Sequence, residues 1–165
     1  MLKNLIGNIW RHFPKKFRRW MVERIEAQFT VTVAGVVIND KEQVLLLKHV
    51  FRPGSGWGIP GGFIESREQP EDAIKRELKE EVGLGLSDIK LLTVVTHKHV
   101  NQVIIAYACR PASELTASSF EIQQAQWFDV ADLPPSLPSD QVALIRYAMD
   151  AQQKIDRDEL CPREI

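Results

Sequence analysis

Glu77, Glu80 and Glu81 share a stretch in which helical spacing sets all three carboxylates within about a quarter turn of one another. Like charges at Glu77 and Glu81, four residues apart, cost an exposed helix a few tenths of a kcal/mol, so a cation is needed to offset them. Ala73 and Ile74 fall on the same face and Leu78 at its margin, which tilts the carboxylates toward a partly covered cleft. Oxygen-only donors that surround an ion incompletely suit Mg²⁺ or Mn²⁺, and Mg²⁺ keeps waters and binds substrate phosphates. Three glutamates alone are better explained as a solvated acidic helix paired with Arg76 and Lys79, so the wider spacing has to decide.

The elements that would position these groups are legible in outline. Pro70 suits the first position of a helix, Glu71 and Asp72 suit its positive end, and Gly83 suits the residue after its last turn, predicting a helix over Pro70–Val82. Before it, 52–62 is a loop with five glycines and two prolines around Trp57, a composition that lets backbone approach a ligand closely. Upstream, Phe29–Ile38 and Gln43–Val50 read as strands joined at Asn39-Asp40-Lys41, predicting a hairpin. Ile89–Thr96 and Gln102–Arg110 predict a second hairpin, and Gln124–Val130 a further strand. A proline-rich linker, 133–138, leads into a capped helix from about Ser139 whose stripe is Val142, Leu144, Ile145 and Ala148, with fraying expected from Lys154. Strands mixed with helices imply an α/β or α+β layered domain.

Gly62, five residues, Glu68, seven residues, then Arg76-Glu77-Leu78-Lys79-Glu80-Glu81-Val82-Gly83-Leu84 is a complete Nudix box, and the chain resembles the Nudix hydrolase family. A chance match to its seven fixed identities in a chain of this length is on the order of one in a million. Gly56 to Gly62 and Trp127-Phe128 resemble family features as well, so the similarity covers about 29–133. The resemblance implies an α/β fold, the Nudix α/β/α sandwich with a mixed sheet, and hydrolysis of a nucleoside diphosphate linked to another moiety. It implies metal binding by Glu80, Glu81 and the Gly61 carbonyl, with Glu77 a further ligand or the base that activates water. Glu68 and Arg76 would brace loop against helix, and Glu121, ahead of Trp127, would be an extra ligand or alternative base. The substrate stays open between ADP-ribose-like compounds, nucleotide-sugars and nucleoside triphosphates. A regulatory module that binds nucleotide without cleaving it is the alternative, against which the intact box speaks. A homodimer is expected on the same resemblance.

Of the remaining polar groups, Arg52 could meet phosphate and Trp57 could stack on a base, or pack beside the helix. His97 and His99 alternate at a strand end, where they could share one face and line the cleft or bind metal, but they read as solvent-facing, since the carboxylates already suit a hard cation. Cys109 reads as a small buried residue.

At 165 residues, 44% hydrophobic and 26% charged, the chain is one soluble domain, and disorder, collagen and coiled coil are excluded. Two cysteines are too few for a disulfide framework. The net charge of −1 gives no reason to expect nucleic acid as a partner, but it conceals an asymmetry. Seven basic residues face one acidic residue up to Arg24, a charge of +6, which leaves −7 for the rest. Leu2, Leu5, Ile6, Ile9, Trp10 and Phe13, then Phe17, Trp20, Met21 and Ile25, recur at helical spacing on either side of Pro14. Lys3–Ile25 therefore reads as two short amphipathic helices, suited to docking on the protein's own body or a dimer partner, or to membrane-surface contact through residues 1–26. The division expected is an extension at 1–27, the main domain at 28–153 and a tail at 154–165. With no spanning run and no signal-peptide pattern, the expected location is cytoplasmic.

Overall fold

A computed structural model describes residues 11–51, 54, 56–97, 100–116 and 119–160, with side chains left out at 23 and 153–160. The expected N-terminal helix before Pro14 lies almost wholly outside the described residues. Arg11 and His12 are helical, Phe13 bends, and helix α1 (Lys15–Ile25) starts after Pro14, whose carbonyl accepts from the N–H groups of Phe17 and Arg18.

Seven strands follow: β1 (Thr30–Val37), β2 (Val44–His49), β3 (Trp57–Gly58), β4 (Gly61–Phe63), β5 (Leu86–His97), β6 (Gln102–Pro111) and β7 (Ile122–Phe128). Helix α2 (Pro70–Val82) lies between β4 and β5, and α3 (Ser139–Leu160) follows β7. One sheet has the order β4-β1-β6-β5, the other β3-β2-β7. In the first, β1 runs parallel to β6 and antiparallel to β4, so the sheet is mixed.

The expected β1–β2 hairpin does not form. Asn39 makes the turn, its Oδ1 accepting from the N–H groups of Lys41 and Gln43 at 2.9 Å each, yet only the Ile38–Val44 bridge joins the two strands. The reason lies at the edges of β1. Both are occupied, by β4 and β6, so β2 turns away and pairs with β3 and β7. The β5–β6 hairpin forms as expected, with register shifts after Ser87 and Leu91. β7 begins two residues earlier than expected, because buried Ile122 pairs with His49, and Val130 falls in a 3₁₀ turn, Val130–Asp132. Backbone helicity in α3 continues through Leu160, past the expected fraying point at Lys154.

Alternation along β1 and β2 sends side chains to both sides of the sheets. Val33, Val37, Leu45 and Leu47 pack with Ala73, Ile74, Leu78 and Val82 of α2, while Ala34, Val36, Val44 and Leu46 pack with Ile145 and Ala148 of α3. The result is the α/β/α sandwich. Gly35 lets α2 lie close, since a Cβ there would sit 3.1 Å from Ile74 Cδ1. Each end of α2 is closed as its sequence predicts. The Gln69 carbonyl accepts from Asp72 and Ala73 at 3.0 Å, and Gly83 adopts φ 66°, its N–H bonding the Leu78 and Lys79 carbonyls. No helix among the described residues is long and apolar enough to cross a membrane.

Candidate active site

Arg76 organises the glutamates. Its Nε donates to Glu68 Oε1 at 2.8 Å and its Nη2 to Glu68 Oε2 at 3.0 Å, a two-pronged contact that ties the loop before α2 to the helix. Nη2 also donates to the Phe63 carbonyl at 3.0 Å, fixing the end of β4. Nη1 donates to Glu77 Oε1 at 2.9 Å and lies 3.3 Å from Glu80 Oε2. Glu68 is held in turn by the Glu65 N–H, 2.9 Å from its Oε2. With these donors around it, first Arg76 and then the Glu65 backbone, the Glu68 carboxyl is held below the usual carboxylate range. Arg76 is held firmly protonated by Glu68 and Glu77.

Burial pushes the Glu77 carboxyl up, against the opposing pull of Arg76. Its carboxylate sits against the backbone of Gly62, where a Cβ would collide with it. Gly61, at φ 152°, packs with no room for a side chain over the Val33 carbonyl. Gly61 thus lets β4 lie close against β1, and Gly62 lets its backbone lie against Glu77 of α2. Glu80 is largely exposed, and Glu81 is half-buried with its Oε2 shielded from solvent. Among the described residues no three His, Cys, Asp or Glu side chains gather around one metal-binding point. Glu77 and Glu80 converge instead on the cationic Nη1 of Arg76. The oxygen-only donors, the shielded Glu81 oxygen and the cradle left by Gly62 fit a hard divalent cation.

Beside this group lies a cleft of about 590 Å³, bounded by β4, β1, β6, β5 and the first two turns of α3. Gly61, Gly62 and Phe63 form its boundary with the glutamates. Thr32, Ile59, Val95, Ile104 and Leu144 supply much of the wall, with polar groups from His97, Gln102, Asp140 and Gln141. Gln141 is held there by the Ile59 N–H, 2.9 Å from its Oε1.

The structure therefore brings Glu68, Glu77 and Glu80 onto Arg76, with Gly62 against Glu77, while Glu81 follows Glu80 on the same helix and Gly61 precedes Gly62 in β4. Glu121 is exposed at the turn into β7, its backbone near the end of α2 because the Ser119 N–H donates to the Glu81 carbonyl at 2.9 Å. Trp57 packs edge-on against Phe128, ring centroids 5.0 Å apart, and does not line the cleft. Arg52 and His99 lie outside the described residues. His97, read from sequence as solvent-facing, lines the cleft instead, because its pairing with Gln102 carries both onto the cleft side of the sheet. Asp140 and Gln141 were not foreseen. Their packing role is set by α3 crossing a sheet built some 40 to 110 residues earlier, and no local pattern carries that. Cys109 is buried as expected, and burial pushes its thiol up to about 12.

A three-layer α/β protein with an arginine-braced glutamate face at the edge of a cleft is the class this architecture defines. The NUDIX domain family model matches residues 28–148, and the chain belongs to the Nudix family. It is 28% identical over 109 residues to the NAD-capped RNA hydrolase NudC of Vibrio parahaemolyticus, which covers 66% of this chain but only 42% of that protein. A MutT-like protein of Streptomyces ambofaciens is 29% identical over 128 residues, 77% of each. Among solved structures, a MutT NUDIX hydrolase from Burkholderia pseudomallei superposes with a TM-score of 0.63 at 29% identity, covering 75% of this chain and 98% of that one.

Proposed function

We propose that this chain is a pyrophosphohydrolase that uses Mg²⁺ or Mn²⁺ and releases a nucleoside monophosphate from a nucleoside diphosphate linked to a further moiety, by water attack at phosphorus. The observation that carries the reading is the Arg76 clamp, which sets Glu77 against Gly62 beside the open cleft. Membership of the Nudix family supports it, as does similarity to a relative named as a hydrolase of NAD-capped RNA.

Glu77, Glu80, Glu81 and the Gly61 carbonyl would hold the cation. When bound there, it supplies charge neutralisation for nonbridging phosphate oxygens and an acidified water. The protein's own part is positioning and proton transfer. Where it is not itself a ligand, Glu77, set against Gly62 by Arg76, would be the base that takes the proton of the attacking water. Glu121 is the alternative acceptor. Arg76 keeps Glu77 from rotating away, and Glu68 keeps Arg76 in register. The cleft's apolar walls suit the nucleoside, with His97, Gln102 and Asp140 available to hydrogen-bond to it.

The test is hydrolysis of a panel of nucleotide-sugars, dinucleotides and nucleoside triphosphates, with and without added metal. Glu81→Gln, folded as judged by circular dichroism, is expected to lose most turnover. Full turnover in that variant with metal present would overturn the mechanism. Comparing Glu77→Gln with Glu121→Gln identifies the base as the residue whose loss removes the acidic limb of the rate–pH profile.

A further inference from the structure

Helix α1 offers a surface that this chemistry does not use. At 100° per residue, Phe17, Trp20, Met21 and Ile25 fall on one arc, with Phe13 just ahead of them, while Lys15, Lys16, Arg18 and Arg19 fall on the other. The aromatic rings form a row. Phe13 stacks on Phe17 at 4.8 Å, Phe17 meets Trp20 at 5.7 Å, and the Arg24 guanidinium lies 5.8 Å from the Trp20 ring. This row faces solvent, with Trp20 52% and Ile25 74% exposed, although Arg18 and Met21 are half-buried.

The apolar surface continues into the domain. Only residues 26–29 separate α1 from β1, a reach of at most about 17 Å between Ile25 and Thr30. Phe29 is exposed, and the Thr30 N–H donates to the Asn101 carbonyl at 2.9 Å, which brings this end of β1 beside exposed Val100. Gln102, the next residue after Asn101, lines the cleft. Exposed apolar groups thus lie on α1, at Phe29 after it, and at Val100 beside the end of β6 that reaches the cleft.

Charge selects the occupant. Residues 1–24 carry +6 and the rest of the chain −7, so two copies meeting α1 against α1 would repel. A duplex would engage the basic arc and leave the aromatic arc in water, and a single strand, which stacks bases on aromatic rings, would have to wrap a helix whose two arcs face opposite ways. A neutral bilayer would take the aromatic arc and gain nothing from the basic one. An anionic bilayer uses both arcs, the apolar one at the acyl boundary and the basic one among headgroup phosphates. We propose that α1 lies in the plane of an anionic bilayer surface and holds the rim of the cleft at headgroup level. This inference stands apart from the hydrolase reading and can fail without it.

The test is flotation of the full chain with phosphatidylcholine vesicles and with vesicles that also contain phosphatidylglycerol. Binding is expected to the anionic vesicles only, and to weaken with added salt. The triple substitution Lys15→Gln/Lys16→Gln/Arg19→Gln should lower it about a hundredfold, at about fivefold per basic residue. Phe17→Ser/Trp20→Ser should lower it about tenfold by removing the apolar contact. None of these positions belongs to either core cluster, so thermal unfolding matching the parent establishes that each variant is folded. Equal binding to neutral vesicles, no binding to either, or binding unchanged in both variants would overturn the proposal. So would a concentration-dependent dimer abolished by the Trp20 substitution, or capture of single-stranded RNA while vesicles are ignored.

Discussion

One flat guanidinium, that of Arg76, reaches Glu68, Glu77, Glu80 and the Phe63 carbonyl at once. An ammonium group has no such fork. Arg76→Lys should therefore cost about 10- to 100-fold in kcat, as loss of a group that orients metal ligands does, with the fold retained. Steady-state kinetics on any cleaved substrate check this, and activity within about twofold of the parent would remove the clamp from the mechanism. The same contact makes a pH prediction. The Glu68 carboxyl is held below its ordinary value of 4.5, so its stabilising contribution is complete above that pH and is lost as pH falls through the lowered folded value. Glu68→Gln should flatten the acid limb of a stability–pH curve from urea midpoints, and an unchanged limb would show that the pair is not linked to folding. This part of the site was readable in sequence because every partner lies within 21 residues, on one loop and one helix. His97 and Asp140 were not, because their meeting depends on elements packed from distant parts of the chain.

Helix α2 is the element whose ends and face the sequence foretold most fully, since Pro70, Glu71, Asp72 and Gly83 each act within one turn. Gly83 holds a left-handed conformation and aligns the closing bonds to Leu78 and Lys79, while Thr116 and Ser119 donate from the later loop to Val82 and Glu81. Gly83→Ala should cost about 1 kcal/mol, read as a lowered Tm. An unchanged Tm would mean that the loop contacts, not the glycine, terminate the helix. The β1–β2 prediction failed for the complementary reason. Asn39 encodes a reversal of direction, which is local, but not which edges remain free for pairing, and β4 and β6 had taken both edges of β1. Trp57 is a similar case, a glycine-loop aromatic that finds Phe128 across the second sheet.

Across the whole molecule, two apolar clusters lie back to back and share β1 and β2. The glutamate face belongs to the α2 layer, but its position depends on the α3 layer through those strands. Ile145→Ala, at a fully buried position on α3, should cost about 2–5 kcal/mol, read from urea midpoints, although it is not one of the residues proposed for catalysis. Trp127 packs against one cluster and Trp57 against the other. Fluorescence and far-UV circular dichroism should accordingly report one coincident transition, and separated transitions would mean that the layers unfold independently.

The box, its helix, the metal-suited donor chemistry and the charge imbalance between the first 24 residues and the remainder are properties of neighbouring residues, so they could be read without coordinates. Sheet membership, the lining of the cleft and the packing of Trp57 arise from competition among strands and helices for the same edges and faces. That competition is resolved only when the whole chain closes on its two cores, and no residue carries its outcome alone.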